Sequence, residues 1–193
     1  MTAGVFPTTP FSTKKEYIEL ERASGEKHVY YNGIVFKMAG ASINHNRITR
    51  NILVSLTKAL AGNAAFEVFG SDQKIYLPKF NFYLYPDALV VAETPVLSET
   101  DTQAITNPVL IVEVLSSSSE RYDRGQKFVE YQSIPSFKEY LLIRQDAPEV
   151  FGFYLEAEQQ WRSTNIAQLD QAILLQSVGV SLPMAAIYDK VNW

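Results

Sequence analysis

The chain has 193 residues, 47% of them hydrophobic and 20% charged, which suits a folded domain with a sizeable core and excludes disordered, collagen-like and fibrous classes. It has no cysteine, which excludes a disulfide framework, a thiolate metal site and a cysteine nucleophile, and fits a reducing compartment. The net charge of −4 is unevenly placed: residues 1–80 carry ten Lys and Arg against six Asp and Glu, whereas residues 81–193 carry seven against fifteen.

Thr8 to Lys15 reads as a polar, proline-containing arm, and Lys14 to Ala23 as a short helix ended by Gly25. Val29 to Met38 reads as a β-hairpin, because Asn32-Gly33 supplies the two positive-φ positions of a two-residue turn. Ile43 to Ala61 is the clearest helix, with Ile48, Ile52, Leu56 and Leu60 repeating every four residues. Ser42 or Asn44 can cap its start, and Gly62-Asn63 can end it. Arg47, Arg50 and Lys58 lie off its apolar stripe, as either a solvated face or a weak phosphate-facing patch.

Three strand-like runs follow, Phe66 to Leu77, Tyr83 to Ala92 and Val109 to Leu115. A helix from about Glu120 to Gln132 comes next, with Ser117 and Glu120 at capping-box spacing. Phe137 to Arg144 and Val150 to Glu156 read as strands, the first of them parallel to Val109–Leu115 across the intervening helix. The tail after Trp161 reads as two short helix-like pieces without obvious chemistry. This order implies an α/β or α+β domain with a central mixed sheet. The longest apolar stretch, Val109 to Leu115, is interrupted by Glu113 and falls far short of the roughly 20 residues of a membrane span. The first twenty residues are polar and lack a signal-peptide core. The expectation is a soluble, cytoplasmic protein.

Two acids stand out. In a strand, Asp87 shares a face with Leu89 and Val91, and Glu113 with Val109, Ile111 and Leu115. A lone charge among such residues costs several kcal/mol unless a cation, proton or metal compensates it. Two neighbouring carboxylates repel each other, and a divalent cation such as Mg²⁺ resolves the repulsion. Lys127, four residues after Asp123, can face it on the helix that packs back over the Glu113 strand. That pair reads either as a surface contact or as an amine delivered to the carboxylate end, and Gly125 between them leaves room for close approach. His45 begins the core-facing stripe of the long helix, as either a core-edge residue or a site histidine, whereas His28 has no comparable placement. The run Ser116 to Ser119 reads as helix entry whose hydroxyls and amides could hold an anion. The chain lacks GxSxG, HExxH, Walker and GxGxxG motifs.

Asp87, then Glu113, then a lysine on the next helix resembles the migrated-lysine form of the PD-(D/E)XK nuclease pattern. More closely, residues 12–165 resemble the Uma2 family of restriction-endonuclease-like proteins (DUF820). The matching phrases include Tyr31-Asn32-Gly33, Met38 to Ser42, His45 to Ile48, Tyr85-Pro86-Asp87, Asn107 to Ser116, Tyr122 to Phe128 and Glu139 to Ile143. The resemblance implies a single domain over 1–193 with a restriction-endonuclease-like αβββαβ core, an N-terminal hairpin extension, an arm over 1–11 and a C-terminal extension over 166–193. It implies Mg²⁺-dependent hydrolysis of DNA phosphodiesters, with Mn²⁺ as a substitute, and a homodimer. Asp87 and Glu113 would be metal ligands, the Val114 carbonyl a third, and Lys127 the catalytic amine, since Leu115 fills the usual lysine position. His45, Asp123 and Ser116 would be accessory, and Arg47, Arg50 and Lys58 would contact nucleic acid. Relatives often carry glutamate where this chain has Val29 and Ile34, which opens the alternative of a nuclease fold that binds without cutting.

Overall fold

The computed structural model describes residues 7–10, 12–157 and 160–192. Chain order gives β1 (Pro7–Pro10), α1 (Lys14–Ala23), β2 (His28–Tyr31), β3 (Ile34–Lys37), α2 (Ile43–Ala59), β4 (Phe66–Gly70), β5 (Lys74–Leu77), β6 (Phe82–Leu84) and β7 (Ala88–Ala92). It continues with β8 (Ala104–Ile105), β9 (Pro108–Leu115), α3 (Glu120–Arg124), α4 (Gln126–Tyr131), β10 (Glu139–Arg144), β11 (Val150–Ala157), β12 (Gln160–Ile166), β13 (Ala172–Leu175), β14 (Val180–Pro183) and α5 (Met184–Ile187).

The main sheet has the order β12-β11-β10-β9-β7-β4, in which β9 and β10 are parallel and the other pairs antiparallel. Read along the chain, α2, β4, β7, β9, α3–α4 and β10 give the expected αβββαβ core in an α+β fold. The second sheet, β1-β3-β2-β6-β5-β8, contains the N-terminal hairpin, outside the αβββαβ core. Asn32 at φ 44° and Gly33 at φ 103° make its turn. Part of the expected N-terminal arm is an edge strand, where prolines are tolerated because one side of the strand needs no donors. Residues 1–6 and 11 of that arm lie outside the described residues.

Thr13 forms a capping box with Glu16 at the start of α1, which ends at a Ser24 cap before Gly25. Ser42, not Asn44, caps α2 by accepting from the His45 amide at 3.0 Å. Ile48, Ile52 and Leu56 of α2 are fully buried against Ala88, Val90, Leu110, Val112 and Val114 on one face of the main sheet. The C-terminal strands and α5 close this layer. The opposite face carries Leu89, Val91, Ile111, Leu115, Tyr140 and Leu142, which pack on Tyr131 of α4 and on Ile75, Leu77 and Leu84 of the second sheet. Each fully buried aliphatic side chain of this kind contributes about 1.5–3 kcal/mol.

Four expectations need correction. Phe66–Leu77 is two strands in different sheets, turned at Gly70 to Gln73. Tyr83–Ala92 is likewise divided between the sheets, and Asp87 lies in the crossing segment rather than within a strand. The helix over 120–132 breaks at Gly125, and no Ser117–Glu120 capping box forms; Ser119 is the cap position, and its amide donates to Ser116 Oγ at 3.2 Å. The tail is mainly strand, with the single turn of α5. No helix among the described residues is long and apolar enough to cross a membrane.

Candidate active site

Tyr85, Pro86 and Asp87 carry the chain from β6 to β7. The β7–β9 ladder pairs Ala88 with Val112, so its register sets Asp87 opposite Glu113 one step further on. The Asp87 carboxylate is fixed at both oxygens: Oδ2 accepts from the Val114 amide at 2.7 Å, and Oδ1 lies 2.8 Å from His45 Nε2. Continued once more, the register would set Pro86 opposite Val114. Proline has no N–H, so it offers no ladder donor to the Val114 carbonyl, which in extended backbone points to the same side as the Val114 N–H.

Glu113 projects from β9 toward α4, on the face of Ile111 and Leu115. Tyr131 donates its hydroxyl to Glu113 Oε1 at 2.7 Å. Lys127 Nζ lies 2.7 Å from that same oxygen and 3.0 Å from Asp123 Oδ1. Lys127 and Asp123 therefore meet although the helix breaks between them. The break itself is tight, since a Cβ on Gly125 would sit 3.2 Å from the Arg121 carbonyl oxygen. Tyr140 donates to the Asp123 backbone carbonyl at 3.2 Å and ties the end of α3 to β10. The side chains of Lys127, Glu113 and Asp123 are 12%, 6% and 4% exposed, whereas His45 and Asp87 are 17% and 15% exposed. The open side of the group is thus the Asp87–His45 side.

Burial pushes the Glu113 carboxyl up to about 7; Lys127 opposes the shift, while the Asp123 and Asp87 charges reinforce it. Burial also works against the Lys127 charge, but Asp123 and Glu113 outweigh it and hold the ammonium well above the ordinary lysine range. For His45, burial is outweighed by the Asp87 carboxylate, so the imidazole titrates above its usual value. The result is a carboxyl poised near neutrality beside a lysine that stays charged.

The other expected residues divide. Arg47 and Ser116 line a cleft of about 870 Å³ with Ser42, Asn44, Arg144 and Gln145, at the end of the sheet where β9 emerges. Arg50 and Lys58 line a different groove, against Ser181–Pro183 and Lys190, so the three cations of α2 do not form one patch. Neither hollow is lined by Asp87, Glu113 or Lys127. Ile34 is exposed on the hairpin, and Val29 packs partly buried against the aromatic layer.

Sequence reasoning passed over Tyr131, although its place four residues after Lys127 puts both on one helical face. It also passed over Gln145, whose amide donates to the Leu115 carbonyl at 2.9 Å while its oxygen accepts from Ser42, joining α2 to the strand end. His28, set aside in the sequence, is 3% exposed and bonded to Glu21.

A divalent cation needs a converging set of oxygen donors. Among the described residues, no three His, Cys, Asp or Glu side chains group as a ready cation cage. Mg²⁺ asks for less, taking one or two carboxylates together with water and substrate oxygen. Asp87 and Glu113 offer two carboxylates beside the Val114 carbonyl at one strand end, a donor set of that kind, and their oxygens here are engaged by His45, the Val114 amide, Tyr131 and Lys127.

The chain matches the family model Uma2, described as "Putative restriction endonuclease", over residues 15–185. It is 39% identical over 162 residues to the uncharacterized protein sll1609 of Synechocystis sp., covering 84% of this chain and 91% of the relative. It is 34% identical over 184 residues to a second uncharacterized Synechocystis protein, slr1290, covering 94% and 95%. Its fold is similar to the crystal structure of a "putative nuclease belonging to DUF820" from Anabaena variabilis, with a TM-score of 0.69, 13% identity, and coverage of 91% of this chain and 99% of that one. The αβββαβ arrangement, the family match along most of the chain and these relatives agree: the chain belongs to the Uma2 family.

Proposed function

We propose that this protein is a divalent-cation-dependent endonuclease that hydrolyses DNA phosphodiesters. The observation that carries the reading is the convergence of Asp87, Glu113 and Lys127 at one end of the main sheet. Asp87 and Glu113 would hold Mg²⁺, or Mn²⁺ in its place, with the Val114 carbonyl as a third donor. When bound, such an ion acts as a Lewis acid toward a phosphoryl oxygen and lowers the pKa of water.

The chain's own groups do the rest. His45 and the Val114 amide orient Asp87. Tyr131 orients Glu113. Lys127 offsets negative charge developing on the phosphate, and Asp123 keeps its ammonium protonated and aimed. Arg47 and Ser116, in the adjoining cleft, would meet the flanking phosphates. An acidic chain of net charge −4 then approaches DNA through a local cationic site and a bound ion rather than through its overall charge.

The closed Glu113–Lys127 contact favours a second reading, a nuclease fold that binds nucleic acid or a partner without cutting. One experiment separates the two. Purified protein is incubated with supercoiled plasmid and Mg²⁺ or Mn²⁺, beside Asp87→Asn and Lys127→Met. Metal-dependent nicking lost in both variants supports the first reading; DNA retention without nicking supports the second. Light scattering on the same samples tests whether the protein is a homodimer, in which two sites could address two strands.

A further inference from the structure

Behind the crossing segment lies a second buried polar group that the reaction chemistry does not use. The Glu21 side chain, on α1, is 5% exposed, and that of His28, on β2, is 4% exposed. Glu21 Oε1 accepts from the His28 amide at 2.9 Å and lies 2.9 Å from His28 Nδ1. Its other oxygen, Oε2, accepts a hydrogen bond from the Tyr85 hydroxyl. Lys27 Nζ lies 5.6 Å from the centre of the Tyr85 ring. Tyr17, also on α1, donates to the His28 carbonyl at 2.9 Å, so helix and strand are locked together beneath Tyr85.

A buried carboxylate is costly unless its lone pairs are filled, and here three polar contacts surround one carboxylate. An apolar pair would hold α1 on the second sheet at lower cost. What the polar group adds is direction, because it fixes one hydroxyl at one point. Tyr85 stands two residues before Asp87, and the residue between them is proline, whose ring locks φ. The crossing segment is therefore pinned twice, by Tyr85 on the second sheet and by the Asp87 carboxylate on Val114 and His45. With its upstream pin released, the segment from Tyr85 to Asp87 has no strand hydrogen bonds of its own to hold it, since it lies between β6 and β7.

We propose that Glu21, acting through the Tyr85 hydroxyl, is a positioning residue for Asp87, with His28 holding Glu21 in place. This rests on the reading of Asp87 as a cation ligand. It assigns a function to α1, which contributes no group to the cluster of acids and lysine itself. The N-terminal helix and hairpin then serve the far end of the main sheet by setting where one carboxylate stands.

The test uses the full chain with Tyr85→Phe and Glu21→Gln. Ser177→Ala is the control: it removes a comparable bond, from Ser177 Oγ to buried Glu139 at 2.6 Å, at the opposite end of β10. Two readouts are taken well below the unfolding temperature: the amide resonance of Val114, which reports the Asp87 bond without any metal, and Mn²⁺ affinity by titration calorimetry. In Tyr85→Phe the Val114 resonance should shift and Mn²⁺ affinity should fall about tenfold, which is about 1.4 kcal/mol. Glu21→Gln, which keeps an acceptor for Tyr85, should lose less. Ser177→Ala should lower stability and leave both readouts unchanged. Should Tyr85→Phe fail to fold, Glu21→Gln decides alone. The proposal is overturned if both variants match wild type in the Val114 resonance, or if Ser177→Ala moves it as far. If wild type binds no Mn²⁺, the cation reading fails by itself, and the Val114 resonance still decides the positioning role.

Discussion

Replacing Lys127 with methionine tests the electrostatics of the site without disturbing its packing. The change keeps an unbranched apolar stem and removes the ammonium that lies 2.7 Å from Glu113 and 3.0 Å from Asp123. At pH 8 Asp123 is then left buried without a cation, and Glu113, no longer held down by the ammonium, either stays charged and unpaired or must take up a proton at a cost in free energy. Removing one partner of a buried pair costs about 3–5 kcal/mol, against total stabilities of about 5–15 kcal/mol for ordinary domains. Glu113 offers a partial escape. Its folded pKa of about 7 lies above the ordinary carboxyl value of 4.5, so the folded state holds a proton that the unfolded chain releases between those values. Wild-type stability from this group is therefore fully present below pH 4.5 and falls as pH rises toward 7. At pH 5.5 Glu113 is neutral in both proteins, and the variant leaves only Asp123 unpaired, so its deficit should shrink to about half the pH 8 figure. The assay is urea unfolding in EDTA at both pH values. With an m-value of about 2 kcal/mol/M, the midpoint should drop by about 1.5–2.5 M at pH 8. A deficit under about 1 kcal/mol at pH 8, or one of equal size at both pH values, would refute the claim that this lysine neutralises two buried acids.

Further outcomes follow from the same geometry. Tyr131→Phe removes one donor from Glu113 and should cost about 1–2 kcal/mol in unfolding experiments while raising the Glu113 pKa. His45→Gln should be less stable than wild type at pH 6, and the difference should narrow as pH rises through the raised His45 pKa, because a raised histidine pKa contributes stability only below it. Gly125→Ala should destabilise, because Gly125 stands at the break between α3 and α4, where no helix propensity is gained, and the new Cβ meets the Arg121 carbonyl at 3.2 Å; thermal melts give the sign. Arg47→Ala should weaken DNA binding in fluorescence anisotropy and flatten its salt dependence, whereas Lys58→Ala, in a separate groove, should have the smaller effect.

Much of this arrangement could be read from local pattern. The Asn32-Gly33 turn and the four-residue stripe of α2 announce themselves because backbone preference and burial agree there. Glu113 was visible because a charge inside an apolar strand demands a partner, and Asp87 drew notice on the same ground although it stands just ahead of its strand. What the sequence concealed was how one run divides. Phe66–Leu77 and Tyr83–Ala92 each keep strand character throughout, yet a turn near Ser71 and a proline at 86 send their halves to different sheets. Strand propensity does not say which sheet receives a strand; long-range pairing does. The tail misled for a related reason. Ile173, Leu175 and Leu182 are buried beside α2 in two four-residue strands too short to show a period. The link from Glu21 to Tyr85 spans 64 residues and two elements, and nothing local in the sequence marks it.

The central claim, that Asp87 and Glu113 together seat a divalent cation, is met most directly by calorimetric titration of Mn²⁺ into the full chain at pH 7.5. Wild type should bind one ion per chain, and Asp87→Asn and Glu113→Gln should each lose at least tenfold in affinity while remaining folded by circular dichroism. Binding of undiminished strength in both variants, or no binding by folded wild type, would contradict it.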